Sequence, residues 1–280
     1  MTLMEKVLQS AEPHMKDKGL TVVDGVIGFN FVGVQLSNGR CHFVYLMREA
    51  IPSGDDIFPY GEQMIGMDAW EVAQWALTGA EDLQRSIGVA ALNAASPYYF
   101  DPIYQHDENF YDCVNEDTVL GVIGFMPPLI KRFGNVVKRY ISFDRAVEMQ
   151  GSLEGAEVYP VEQQKELLPL CDVVTITGTT MINHTTDKIL AMCTGAKKIV
   201  LSGFSLPFYP EAYRGSGISA LGSVYYTENA NELFKPLSLA ASRHRMREYT
   251  SSVFCWLDPD HPECEQKRQW RDKNGCICSR

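Results

Sequence analysis

The chain has 280 residues, 45% hydrophobic and 21% charged, with a formal charge of 25 − 35 = −10 and an isoelectric point near 5.1. Such a composition is globular and long enough for two modest domains, and its acidity leaves no basic stripe for duplex nucleic acid, which excludes that partner. No run approaches the roughly 20 apolar residues of a membrane span and the N-terminus has no signal-peptide core, so a soluble, cytoplasmic protein with no membrane partner is expected.

Met4, Val7, Leu8 and Ala11 are spaced for one face of a short helix, with Pro13 and Gly19 as disruptors beyond it. Thr21 to Val23 is β-branched and Asp24-Gly25 can turn the chain. Val26 to Leu36 and Cys41 to Leu46 then flank Ser37-Asn38-Gly39-Arg40, whose Asn-Gly is a strong hairpin signal. Arg48 to Gly66 has the Pro, Gly and acid content of a loop. Asp68 should N-cap a helix over Ala69 to Leu77, closed by Gly79. A second helix over Ala80 to Ala95 carries Gly88, Ala90, Ala91, Ala94 and Ala95, small enough for close backbone packing. Ser96 to Asp117 reads as a passage between domains, where His106, Asp107, Glu108 and Asp112 look like a solvated acidic linker rather than metal ligands.

From there strands and helices alternate. Val119 to Gly124 is a strand, a helix is expected near Leu129 to Val137, and Arg139 to Phe143 is a strand ending at Asp144. A helix over Val161 to Leu168 leads to Asp172–Thr185 (DVVTITGTTMINHT), where five β-branched residues from Val173 to Thr177 predict a strand buried on both faces. A helix over Thr186 to Met192, a strand over Lys197 to Gly203, a strand over Ala220 to Tyr226 and a helix over Ala230 to Ala240 complete a doubly wound pattern.

Three of these strands end in glycine: Gly124, Gly178 and Gly203. Ligands bind open α/β sheets at the carboxyl ends of the strands, so one crevice is expected there. Its candidate ligand-binding residues are Gly124, Gly178, Thr179, Thr180, Asn183, Thr185, Gly203 and Ser205, which would converge hydroxyls, one amide and backbone N–H groups on an anionic or carbonyl group. Helix capping and turn closure are the competing roles for the same groups. His184, Tyr209 and Glu211 lie at the same turns. Gly121-x-x-Gly124-Phe-Met-Pro-Pro lacks the third glycine of a dinucleotide fingerprint, although Asp144 stands about 20 residues on, where a ribose would be met.

Three segments resemble the family named for putative heavy-metal chelation: IGVAALNAASP (Ile87 to Pro97), DVVTITGTTMINHT, and LSGFSLPFYP (Leu201 to Pro210). With VLGVIGF they span roughly residues 20 to 240. The resemblance implies an N-terminal α+β domain with an antiparallel sheet like the capping domain of enolases, a Rossmann-like C-terminal domain, and a functional cleft between the two. Phe204-Ser205-Leu206 replaces the family's Pro-Ser-Thr, so one hydroxyl is kept and one lost.

Cys41, Cys113, Cys171 and Cys193 are scattered and read as reduced core or near-core thiols. Cys255, His261, Cys264, Cys276 and Cys278 gather in 24 residues, in a spacing able to offer donors to zinc or another soft transition metal, with disulfides or idle thiols as the competing reading.

The expected organisation is an α/β chain with an enolase-N-terminal-like domain at 1–100, a linker at 101–117, a Rossmann-like domain at 118–245 and a Cys-rich tail at 246–280. No Ser-His-Asp spacing, P-loop, HExxH or Cys-x-x-Cys is present, and catalytic residues are not assigned. The expected function is binding of a small anionic or metal-chelating ligand in the interdomain cleft; the alternative is a lyase or transferase of a small-molecule biosynthetic pathway using the same cleft. The expected partner is a small molecule or metal, and a homo-oligomer is compatible with the sequence.

Overall fold

A computed structural model describes residues 1–51, 61–104, 110–145, 151–153 and 155–257. Helix α1 (Leu3–Met15) opens on a capping box, in which the Thr2 hydroxyl accepts from Glu5 N and the Glu5 carboxylate accepts from Thr2 N. It outruns its expected end at Ala11 because Met15 is also buried, and Pro13 is accommodated in its last turns.

Strands β1 (Val22–Ile27), β2 (Phe31–Leu36) and β3 (Cys41–Tyr45) form an antiparallel meander, with Asn38-Gly39 at the β2–β3 turn. Asp24-Gly25 does not turn the chain. The strand runs through it with a register slip after Val22, because pairing Gly25 with Val34 and Val26 with Gly33 buries Val26, and the turn falls at 28–30 instead. Asp68 caps α2 (Ala69–Thr78) through Trp70 N at 2.9 Å, and α3 (Asp82–Ala95) packs on it so closely that a Cβ on Gly88 would stand 2.1 Å from Ala76 N. Almost every residue of α3 is buried, since its second face covers β2 and β3.

The second sheet contains β4 (Val119–Ile123), β5 (Arg139–Phe143), β6 (Gly151–Leu153), β7 (Ala156–Tyr159), β8 (Val173–Thr177), β9 (Lys198–Ser202), β10 (Ala220–Tyr226) and β11 (Thr250–Trp256). Their order is β11-β10-β9-β8-β4-β5-β7-β6; the inner six are parallel, and the two edges are antiparallel. The chain builds outward from β4 through β5 to β7, then returns to the other side of β4 with β8, β9 and β10, so the winding reverses between β4 and β8. This is a two-domain α/β fold with a doubly wound sheet.

Several local expectations are corrected. The helix near Leu129 begins two residues earlier, as α4 (Pro127–Phe133), because proline suits a first turn. Val161 to Leu168 is broken into a 3₁₀ turn, a short α5 (Gln164–Leu167) and a second 3₁₀ turn around Pro169. Ala230 to Ala240 divides likewise into a 3₁₀ segment and a short helix containing Pro236. The β6–β7 hairpin was not expected. Thr250–Trp256, within the segment read as a Cys-rich tail, is an edge strand paired along its length with β10. Of the four thiols expected in or near the core, Cys41, Cys171 and Cys193 are buried and Cys113 is exposed. No helix among the described residues is long and apolar enough to cross a membrane.

Candidate functional site

Strands β4, β8 and β9 lie side by side, so Gly124, Gly178 and Gly203 meet at one sheet edge. Gly124 and Gly203 have φ of +94° and +125°, which L side chains avoid, and each lets the chain leave its strand sharply. Gly178 has an ordinary helical φ; it is glycine because a Cβ would stand 2.4 Å from Leu206 N. The close approach is to the neighbouring loop, not to a ligand. Beyond β8 follow α6 (Thr179–Ile182) and α7 (Thr186–Met192).

At this edge opens a cavity of about 1050 Å³, roofed by the end of β3. Gly124, Thr179, Thr180, Asn183, Thr185, Gly203 and Ser205 line it; Gly178 is displaced behind them. Thr177, Ser202, Tyr45, Met47, Phe125 and Met126 add hydroxyls, thioethers and rings. So do Arg48, Arg145, Lys188 and Arg243, four exposed cations that sequence reasoning missed because they are scattered over the chain.

Several N–H groups of the expected cradle are already committed to backbone carbonyls. Gly178 N donates to Ser202 O at 2.7 Å, Gly203 N to Gly222 O at 2.9 Å, Asn183 N to Thr179 O and Thr185 N to Thr180 O. At the first turn, Gly124 N is held by Phe143 O and Phe125 N by the Asp144 carboxylate at 2.8 Å, so Asp144 closes the loop at the position where a dinucleotide-binding fold would meet a ribose. Helix α4 starts with two prolines, and Leu129 N donates to Met126 O, leaving its first three positions without a free donor. A pyrophosphate has nothing to bind there in the dinucleotide manner.

Side-chain hydroxyls divide into two groups. Thr180, buried, donates to Thr177 O at 2.8 Å and accepts from Thr186, and Ser205 accepts from Tyr45 N at 2.9 Å. These close turns and tie the two sheets together. Thr177 and Thr179 are half-buried in the cavity wall, and Thr185 donates to Asn183 Oδ1 at 2.6 Å, turning the Asn183 amide toward Met47 Sδ at 3.7 Å.

The loop at 203–209 carries much of the contact between the sheets. His42 Nε2 donates to Phe204 O at 2.9 Å, Tyr99 OH to Leu206 O at 3.3 Å, and Ser96 Oγ to Phe208 O at 2.7 Å. Asn93 Oδ1 accepts from Phe208 N, and Tyr209 OH donates to Leu92 O at 2.7 Å. His42 stacks on Tyr99 and is fully buried, and burial drives its imidazole down to about 4, so it is neutral at physiological pH. His184 donates to Ala76 O from a left-handed backbone, and Glu211 pairs with Arg214 on the surface. Neither His184, Tyr209 nor Glu211 lines the cavity.

For a metal, the donors fit poorly. No histidine or cysteine lines the cavity among the described residues, and no group of three or more His, Cys, Asp or Glu able to hold an ion occurs among them. The wall offers hydroxyls, one amide and the carboxylates of Glu49, Asp144 and Glu162, which are hard donors, and among the described lining residues only the thioethers of Met47 and Met126 suit a bare soft ion. Cys255 is buried in β11 opposite Leu221; His261, Cys264, Cys276 and Cys278 lie outside the described residues, as do His106, Asp107 and Glu108.

Two family models, both described as "Putative heavy-metal chelation", match residues 9–96 and 109–255. An uncharacterized protein of Methanocaldococcus jannaschii is 33% identical over 144 residues, 50% of this chain and 54% of that protein, so the match spans about half of the relative. A crystal structure of a protein of unknown function from Pyrococcus horikoshii superposes with a TM-score of 0.74 at 21% identity, covering 91% of this chain and 100% of its own. One from Desulfitobacterium hafniense gives 0.71 at 18%, covering 90% and 98%. At those identities the likeness is one of fold.

Proposed function

The chain belongs to the family described as "Putative heavy-metal chelation", and from that premise we propose that it binds a small anionic, metal-chelating ligand in the cleft between its two sheets. The observation that carries this reading is the cavity at the reversal of winding between β4 and β8, where cations outnumber acids although the chain as a whole is at −10. The volume matches a drug-sized organic molecule and exceeds what a lone ion needs. The donor set supports a metal that arrives already held by such a molecule over one held by protein side chains alone.

Among the described lining residues there is no histidine, cysteine or paired nucleophile and base, which favours binding over a lyase or transferase in the same cleft. The tail cysteines remain a second candidate for soft-metal capture. Native mass spectrometry with elemental analysis, on protein purified from its own host, tests both. A co-purifying organic molecule with stoichiometric metal is the expected result. Metal without organic ligand, lost on changing Cys264 and Cys276 to Ser, would move the site to the tail; protein free of both would overturn the proposal.

A further inference from the structure

We infer that the cleft is built for an aromatic anion bearing several negative charges, which brings its metal as a finished complex; this rests on the reading above and names the ligand class. Four observations converge on it.

First, Arg48, Arg145, Lys188 and Arg243 gather in one cavity with no ion-pair partner among the described residues; outside it Arg85, Arg139, Arg214 and Arg245 are paired, while Arg40 and Arg247 are not. The acids in the wall are Glu49, Glu162 and Asp144, the last accepting from Phe125 N–H, so the four cations leave the described lining at 4 − 3 = +1 in a chain of −10. Second, two of the guanidiniums lie over rings, Arg48 over Phe29 at 4.6 Å and Arg243 over Phe204 at 5.1 Å. Stacking holds a planar fork in place and leaves its edge N–H groups to meet carboxylate or phenolate oxygens, with less rotamer freedom lost on binding. Third, the helix-end donors that would suit a compact phosphate are absent at α4, so charge recognition falls to side chains spread around the wall. Separated cations match a ligand whose charges are separated. Fourth, Tyr45, Phe125, Phe204, Met47 and Met126 present rings and thioethers between those cations, surfaces that accept a flat, polarisable body.

The test uses the full chain and two ferric complexes, tris(2,3-dihydroxybenzoate), which is aromatic and polyanionic, and citrate, which is anionic without a ring. Retention is read on gel filtration from iron content and, for the first, its visible charge-transfer band. The dihydroxybenzoate complex should bind at least about tenfold more tightly than ferric citrate, weaken with added salt, and lose about tenfold or more in Arg48→Gln/Arg243→Gln with unchanged circular dichroism. Equal affinity for both complexes, or an undiminished double variant, would overturn the ligand class and leave cleft binding standing. Retention of neither complex would overturn the ligand class by itself, and together with host-purified protein devoid of any small molecule it would overturn the cleft reading as well.

Discussion

The loop at 203–209 has two sides with opposite chemistry. Toward the small sheet and α3 its polar groups are buried and paired: Phe204 O with His42, Ser205 Oγ with Tyr45 N, Phe208 N and O with Asn93 and Ser96. Toward the cavity it meets exposed cations that have no ion-pair partner among the described residues. A buried polar group is costly unless satisfied, so the loop's groups on the first side are met within the protein, although Asn93 Nδ2 opposite them has no hydrogen bond, whereas solvated charges can be left for something else to meet. The difference separates what the loop does for the fold from what it offers a ligand.

The most drastic way to break the distinction is at Gly178. Valine there drives a side chain into the Leu206 backbone, and we expect a loss of about 3 kcal/mol or more, seen as a lower denaturation midpoint with or without ligand. A variant of unchanged stability that only lost binding would place Gly178 on the ligand side after all.

Next comes His42. Unfolded it titrates near 6.5 and folded near 4, so between those values the unfolded chain binds the extra proton. Its contribution is whole above about pH 6.5 and disappears as pH falls toward 4, by about 3 kcal/mol at the limit. Urea denaturation across that range should show a steeper decline for the native chain than for His42→Asn; parallel curves would contradict the burial argument.

Tyr209→Phe removes the donor to Leu92 O at the same buried contact and should cost about 1–2 kcal/mol, while leaving the cavity wall untouched. Smallest of all, Arg48→Gln alone should cost less than about 1 kcal/mol, because the side chain is exposed and loses only its contact with the Phe29 ring. A loss as large as that of Tyr209→Phe would show that this cation belongs to the fold.

The parts of the fold legible in the sequence are those where local pattern and burial agree. Val173 to Thr177 is buried on both faces of a parallel sheet, so it reads as an unbroken β-branched run; Asn38-Gly39 reads as a turn because its backbone needs a positive φ. β11 was hidden because Thr250 to Ser252 offers no apolar signal and the strand exists through its pairing with β10. The glycine-ended strands marked the right sheet edge, yet the hydroxyls beside them include Thr180 and Ser205, which serve the structure. The cations carry no local signature. Arg145 stands two residues past the end of β5, and its neighbours in the cavity are supplied by topology from positions as far apart as 48 and 243.

The contacts that join the two sheets also bear on how the protein is made. His42 waits for Phe204 across 162 residues, Ser96 for Phe208 across 112, and Leu3 N for Asp187 across 184. During synthesis the native partners of His42, Asn93 and Ser96 do not exist until residues 204–208 have been made, so these contacts can close only late. The first residues translated thus depend for these contacts on a loop translated more than a hundred residues later.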